Sequence, residues 1–252
     1  MLARGDRITP QLNALLAAQG VDALTVGGEV RATLLSTGDE LVSPGVELQA
    51  GQIYDANSAL LRALLQKCGV STVTVSHCPD RAEQIRAAVR SGVSGDAMII
   101  TGGVSVGARD FVKEAIVAAG GKLDLWRVAV KPGKPFLFGR AGDCAIFGLP
   151  GNPVSAFVTF LLFVRPALLK LRGASERELK LPTMPVRLAV DLQNEGERPH
   201  YIRRVVTEGE FRPLGRQESH ALFGLSGSNA LLRMEPSARL VAGTIANAVT
   251  WQ

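Results

Sequence analysis

The chain has 252 residues, 46% of them hydrophobic and 20% charged; at roughly 150 residues per domain, that length makes one large domain or two modest ones. The composition excludes a disordered tail, a collagen and a coiled coil. Lys and Arg number 28 against 23 Asp and Glu, a formal net charge of +5 that favours anionic ligands over cationic ones.

Thr9 reads as an N-cap with Pro10 at the first helical position, and Leu12, Leu15 and Leu16 follow at helical spacing until Gly20 stops the helix. RATLLST (31–37), DAMIITGG (96–103) and CAIFGLPGN (144–152) are short apolar runs that end in small or turn-forming residues, as buried parallel strands do, and VSTVTVSH (70–77) adds a fourth. Between and after them, SALLRALLQKCG (58–69), RAEQIRAAVRSG (81–92), FVKEAIVAAGG (111–121) and VSAFVTFLLFVRPALLKL (154–171) read as helices. This alternation predicts an α/β domain over 29–172, a parallel sheet with helices on both faces, preceded by a helical piece over 1–28. After Arg172 the character shifts: VRLAVDL (186–192), HYIRRVVTEG (200–209) and RLVAGTIANAVTW (239–251) read as strands without long helices, predicting a small β-barrel domain over 173–252.

The longest apolar run, VSAFVTFLLFV (154–164), ends at Arg165 and Pro166, so no membrane span is expected. The opening MLARGDRITP lacks the apolar stretch of a secretory signal. Cys68, Cys78 and Cys144 form no CxxC pair and no zinc-type cluster, which suits small apolar residues in a reducing compartment. The expected setting is the cytoplasm.

In open α/β sheets ligands bind outside the carboxyl ends of the strands, and here those loops carry chemistry. STGDEL (36–41) places Asp39 and Glu40 just past a strand, although Asp and Gly are also ordinary turn residues. TGGVSVGARD (101–110) joins a strand to a helix, and its backbone N–H groups can hold a phosphate; it is neither a GxGxxG fingerprint nor a Walker A. Asp110 also reads as a helix N-cap, and Asp80 with Glu83 as a capping box. GLPGNPVS (148–155) is stiffened by Pro150 and Pro153, with Asn152 as an N-cap and a tight strand-to-helix turn as the plainer reading. KPGKP (131–135) presents Lys131 and Lys134 on a turn suited to an oxyanion or simply to solvent. Together these loops suggest a phosphate bound with Mg²⁺, which takes one or two carboxylates and fills its shell with phosphate and water. Two carboxylates about 4 Å apart repel by about 4 kcal/mol at an effective dielectric of 20, and a bound cation offsets this.

STGDEL, IYDANS (53–58), TGGVSVGARD, KPGKP and GLPGNPVSAF, in this order, resemble the molybdopterin molybdenumtransferases, which include the E domain of gephyrin. The likeness runs from about residue 5 to the end, and GRQESHALFGLSGSNALLRMEP (215–236) is similar to the family's C-terminal barrel. The resemblance implies Mg²⁺-dependent insertion of molybdate into adenylylated molybdopterin, with release of AMP and molybdenum cofactor. It implies catalytic roles for Glu40, Asp80, Asp110, Pro150 and Pro153, with Glu40 and Asp110 as metal ligands. Gly102, Gly103 and Ser105 match the phosphate loop; Thr37, Gly38, Gly151 and Asn152 belong to the same binding rim, and Lys131 and Lys134 are candidates for molybdate. The family also implies a homodimer whose cleft is completed by about two further N-terminal domains, of which only the last helix is matched here. The expected partners are small molecules.

Two other readings stay open: a non-catalytic binding fragment or scaffold module, and the related molybdopterin adenylyltransferase, against which the β domain and GLPGNPVS speak. Nucleic acid is not expected, because Trp and Tyr number two each and no aromatic-basic surface is visible.

Overall fold

The computed structural model describes residues 2–104, 111–214 and 221–251. The first part of the chain forms α1 (Pro10–Ala18), β1 (Arg31–Thr37), β2 (Leu41–Val42), β3 (Ile53–Tyr54), α2 (Ala56–Lys67), β4 (Thr72–Cys78), α3 (Ala82–Gly92) and β5 (Ala97–Thr101). It continues through α4 (Phe111–Ala118), β6 (Lys122–Trp126), β7 (Leu137–Ala141), β8 (Cys144–Leu149), α5 (Pro153–Thr159), a π-helical turn (Phe160–Val164), α6 (Arg165–Leu171) and α7 (Glu176–Leu179). Thr9 caps α1 as expected, its hydroxyl accepting from the Leu12 N–H at 3.2 Å, with Pro10 in the first turn.

Six strands form one sheet in the order β4-β1-β5-β8-β7-β6. The first four are parallel, as their apolar runs predict, whereas β7 and β6 are antiparallel, so the sheet is mixed at one edge. Only Gly142 and Asp143 separate β7 from β8, with Gly142 at φ 57. So short a loop joins only antiparallel neighbours, because a parallel return needs a crossover of about a dozen residues.

Both faces are covered. Leu34, Ile99 and Phe147 pack with Leu61 and Leu65 of α2 and with Phe157 and Phe160 on one side. On the other, Leu35, Met98 and Ile146 pack with Ile85 and Val89 of α3 and Val112 and Ile116 of α4. Every residue of β5 and β8 is consequently buried, which is why those strands read as continuous apolar runs.

The predicted helix over 154–171 is real but interrupted. Pro166 has no N–H to donate, and the chain bridges this with the π-helical turn, where the Arg165 N–H reaches the Phe160 carbonyl. Pro153–Leu171, with mean hydropathy 1.8, is long and apolar enough to cross a membrane, contrary to the expectation drawn from Arg165 and Pro166. Over half of that stretch (56%) is buried inside the fold, as in a core helix.

The remainder comprises β9 (Thr183–Leu188), β10 (Leu192–Gln193), β11 (His200–Thr207), β12 (Glu210–Arg212), α8 (Leu222–Ser226), β13 (Ala230–Met234), β14 (Arg239–Leu240) and β15 (Ile245–Thr250). Strands β11-β12-β9-β15-β13 close into a barrel filled by Val186, Leu188, Ile202, Phe211, Leu232 and Met234. Asn194 is buried beside it, its amide donating to the carbonyls of Arg198, Met234 and Glu235. All three cysteines are buried and free, as expected of small apolar residues.

Candidate functional site

The register of the parallel strands brings the motif loops to one rim. Thr37 pairs with Cys78, Ser36 with Thr101 and Thr101 with Leu149, so four strand ends are level. From them leave the turn at Asp39 and Glu40, the segment to Asp80, the loop at Gly102 and Gly103, and the loop at Pro150 to Asn152. Because β7 runs opposite to β8, with Leu137 paired to Gly148, the residues just before β7 reach the same rim.

The carboxylate turn is tied to the end of β4. The Gly38 N–H donates to the Cys78 carbonyl at 3.4 Å, and the Asp80 N–H donates to Asp39 Oδ1 at 3.2 Å. The Glu40 carboxylate lies over Gly38, where a Cβ would stand 2.7 Å from Oε2. Asp80 does not form the expected capping box: α3 starts at Ala82, its N-cap is Arg81, and no side chain caps it. The Asp80 carboxyl is instead pushed above its ordinary range, first by burial and then by repulsion from Asp39 and Glu40, while Thr37 and His77 pull it back. The Thr37 hydroxyl is buried and makes no hydrogen bond of good geometry. Asp80 and Gly103, with Ile85, Phe111 and Val112, line a cleft of about 290 Å³.

The glycine loop approaches closely because it lacks side chains. A Cβ on Gly102 (φ 85) would meet the Thr37 carbonyl oxygen at 2.2 Å, and one on Gly103 (φ 61) would meet Thr37 Oγ1 at 2.7 Å. Ser105 and Asp110, including the reading of Asp110 as an N-cap, lie outside the described residues.

A polar network that sequence reasoning did not assign holds these loops in place. Asn57 Nδ2 donates to Thr101 Oγ1 at 2.9 Å and to the Gly151 carbonyl at 2.7 Å, and the Thr101 hydroxyl reaches the Pro150 carbonyl at 3.3 Å. Asp55 caps α2 through Ser58 and accepts from Ser36 Oγ at 2.6 Å. The IYDANS string carried this signal, since an Asp three residues before Ser58 at a helix start is a capping pattern. Pro153 opens α5, and Asn152 occupies the N-cap position, but its side chain does not cap the helix.

Lys131 and Lys134 are exposed and sit at the other end of the rim, away from the carboxylate turn in strand order. Lys131 pairs with the barrel, donating its N–H to the Pro199 carbonyl and accepting from the Tyr201 N–H at 2.7 Å. Gly133 packs on α5, where a Cβ would meet Thr159 Cγ2 at 2.5 Å. Beside this seam, His200 is depressed to about 4 by burial and by Lys131, Arg204, Arg198 and Arg203. The ring is neutral at pH 7. Its folded value lies below its unfolded one, so the contribution to stability is complete above about 6.5 and is lost as pH falls towards 4. At face value the shift is worth ~3 kcal/mol; for a half-buried ring, screening leaves ~1 kcal/mol. Urea denaturation between pH 7 and 4 is expected to show that loss, and His200→Gln to remove it.

Among the described residues, no three His, Cys, Asp or Glu side chains converge as a metal cage. Asp39, Glu40 and Asp80 nonetheless offer only oxygen donors, and Asp80 is raised first by burial and then by its two acidic neighbours. That donor set fits Mg²⁺, which needs only one or two protein carboxylates when phosphate and water complete its shell.

A mixed sheet covered by helices, with motif loops at one rim, and a closed β-barrel that follows it define an α/β protein with an appended barrel. Residues 33–170 match the family profile "Probable molybdopterin binding domain", and residues 185–251 match "MoeA C-terminal region (domain IV)". A molybdopterin molybdenumtransferase of Haemophilus influenzae is 37% identical over 93% of this chain and 59% of its own length. Molybdopterin molybdenumtransferase 2 of Mycobacterium tuberculosis is 36% identical over 97% of this chain and 62% of its own length. The crystal structure of the molybdopterin biosynthesis MoeA protein from Pyrococcus horikoshii superposes with a TM-score of 0.84 at 26% identity, over 99% of this chain and 61% of that one. The chain belongs to the molybdopterin-binding domain family, with the domain order of the molybdopterin molybdenumtransferases. It spans about three fifths of the length of these relatives.

Proposed function

We propose that this rim binds adenylylated molybdopterin with Mg²⁺ and takes part in molybdate insertion, releasing AMP and molybdenum cofactor. The observation that carries the reading is the polarity of the rim: carboxylates beyond β1 and β4, the glycine loop beyond β5, the proline loop beyond β8, and cations before β7. Strands are spaced about 4.8 Å apart, so β1 to β7 is three steps, about 14 Å, along which a nucleotide can lie with an oxyanion at its far end.

In this reading Glu40 and Asp110 hold Mg²⁺, which when bound neutralises phosphate oxygens and offsets the repulsion among the carboxylates. Gly102, Gly103 and Ser105 receive phosphate oxygens on backbone N–H groups, flanked by Thr37 and Gly38. Asp80, whose carboxyl is pushed above its ordinary range by burial and then by its acidic neighbours, lies beside them. Pro150 and Pro153 keep the wall formed by Gly151 and Asn152 rigid, while Lys131 and Lys134, backed by the cations around His200, receive molybdate. A homodimer and a cytoplasmic setting belong to the same reading.

Calorimetry is expected to show ADP binding tightened by Mg²⁺. Asp110→Ala and Glu40→Ala each remove that increment, a loss of about ten- to a hundredfold, the worth of a hydrogen bond to a charged group. A wild-type chain that binds no nucleotide sinks the proposal. The alternative reading is a binding module without turnover. In a molybdate-insertion assay, turnover supports the enzyme, and binding without turnover supports the module.

A further inference from the structure

We propose that His77 is a positioning residue for the Gly38–Glu40 turn: an imidazole at the end of edge strand β4 clamps the backbone that presents the carboxylates. The ladder between β1 and β4 ends at Thr37 and Cys78, and the next strand pairing, of β2 with β3, starts only at Leu41 on the far side of the turn. His77 Nε2 lies 2.9 Å from the Gly38 carbonyl oxygen. A carbonyl only accepts, so Nε2 carries the proton and donates. Four further contacts secure the turn: Gly38 N–H to the Cys78 carbonyl (3.4 Å), Leu41 N–H to the Gly38 carbonyl (3.4 Å), Asp80 N–H to Asp39 Oδ1 (3.2 Å) and Ile53 N–H to the Glu40 carbonyl (2.8 Å). The His77 bond is shorter than every other bond to Gly38 and, among the described residues, is the only one of the five that a side-chain donor contributes from outside the turn.

The consequence reaches the carboxylates through covalent geometry. Gly38 has φ 152 and no Cβ, and the Glu40 carboxylate occupies the space a Cβ would fill. Fixing the Gly38 carbonyl therefore fixes the peptide plane from which Asp39 and Glu40 extend. A site held to within about 0.5 Å by donors around its first ligands binds a cation and phosphate without reorganising. His77 itself stays exposed and touches neither ligand in this account. What the turn holds rests on the proposed function, whereas the clamp itself does not.

The experiment pairs His77→Leu, which keeps bulk and loses the donor, with His77→Gln, whose amide N–H reaches about where Nε2 stands. Amide hydrogen exchange is read at Gly38, Leu41 and Asp80, with Leu34 in the buried strand as the internal control. The affinity for Mn²⁺ in the presence of ADP is measured alongside. His77→Leu is expected to speed exchange at the three turn amides about five- to tenfold, the worth of one hydrogen bond, and to weaken Mn²⁺ with ADP by a similar factor. His77→Gln restores both to within about twofold of wild type. Unchanged turn exchange in His77→Leu, or a Gln variant no better than Leu, overturns the proposal. A wild-type chain that binds no Mn²⁺ with ADP overturns the reading of the rim, and the exchange comparison then decides the role of His77 by itself.

Discussion

Gly102→Ala is expected to lose ~3 kcal/mol of stability and, on the proposed function, to abolish nucleotide binding at the rim. Two terms add. A non-glycine residue at φ 85 costs ~1–2 kcal/mol of backbone strain. The new methyl would also stand 2.2 Å from the Thr37 carbonyl oxygen, a backbone atom that no rotamer change can move. Relief requires the end of β1 and the glycine loop to part, costing a further ~1–3 kcal/mol, as overpacking does. The matched control is Gly120→Ala. Gly120 has φ 78, but nothing lies within 4 Å of its Cβ position, so only the strain of ~1 kcal/mol is expected. Urea denaturation of the two variants isolates the close approach, and equal losses would show that the contact between strand end and loop contributes nothing.

Leu34→Ala is expected to cost ~3–4 kcal/mol, at the centre of the range for fully buried leucines. Leu34 is 0% exposed in β1 and belongs to the cluster with Leu61, Leu65 and Phe157, flanked by strands on both sides. A rigid sheet between two helical layers collapses poorly around a lost isobutyl group, which keeps the cavity term large. For a chain of this size, the melting temperature is expected to fall by about 10 °C. Val117→Ala, at a site 60% exposed, is the control and is expected to stay within ~0.5 kcal/mol. A loss below ~1 kcal/mol at Leu34 would mean that the core repacks around the gap.

Much of the α/β part is legible in the chain because β1, β5 and β8 are buried on both faces and so read as continuous apolar runs. The edge strand β6 and its neighbour β7 are not legible in this way. β6 is largely exposed and β7 alternates, and the Gly142-Asp143 pair that joins β7 to β8 is a hairpin signal visible only if both flanks are taken as strands. In the barrel, β12 and β13 went unread; β12 has only three residues, too few to show a period.

The motif residues Asp39, Glu40, Gly102, Gly103 and Pro150 declare themselves by type and spacing, because tight turns and phosphate loops need particular residues at fixed offsets. His77, Asn57 and Thr101 do not, since a donor aimed at a backbone carbonyl has no sequence pattern. Asp80 shows the converse failure: a capping-box spacing was present, yet α3 begins one residue too late for Asp80 to serve it.

The amino-acid sequence alone therefore determined the class of fold, the shift from an α/β part to a barrel, and which loops carry carboxylates, glycines and lysines. Only the tertiary structure decided their order along the rim. Strand order β4-β1-β5-β8-β7 separates the carboxylates beyond β1 from the lysines before β7 by the two intervening strands β5 and β8. The antiparallel return of β7 brings KPGKP to the same rim, joined to the barrel at Lys131. The physical reason is that burial pattern and turn chemistry are local properties, readable residue by residue. Which strand lies beside which is set by pairings between residues as far apart as Ser36 and Thr101, or Lys131 and Tyr201, that no local spacing records.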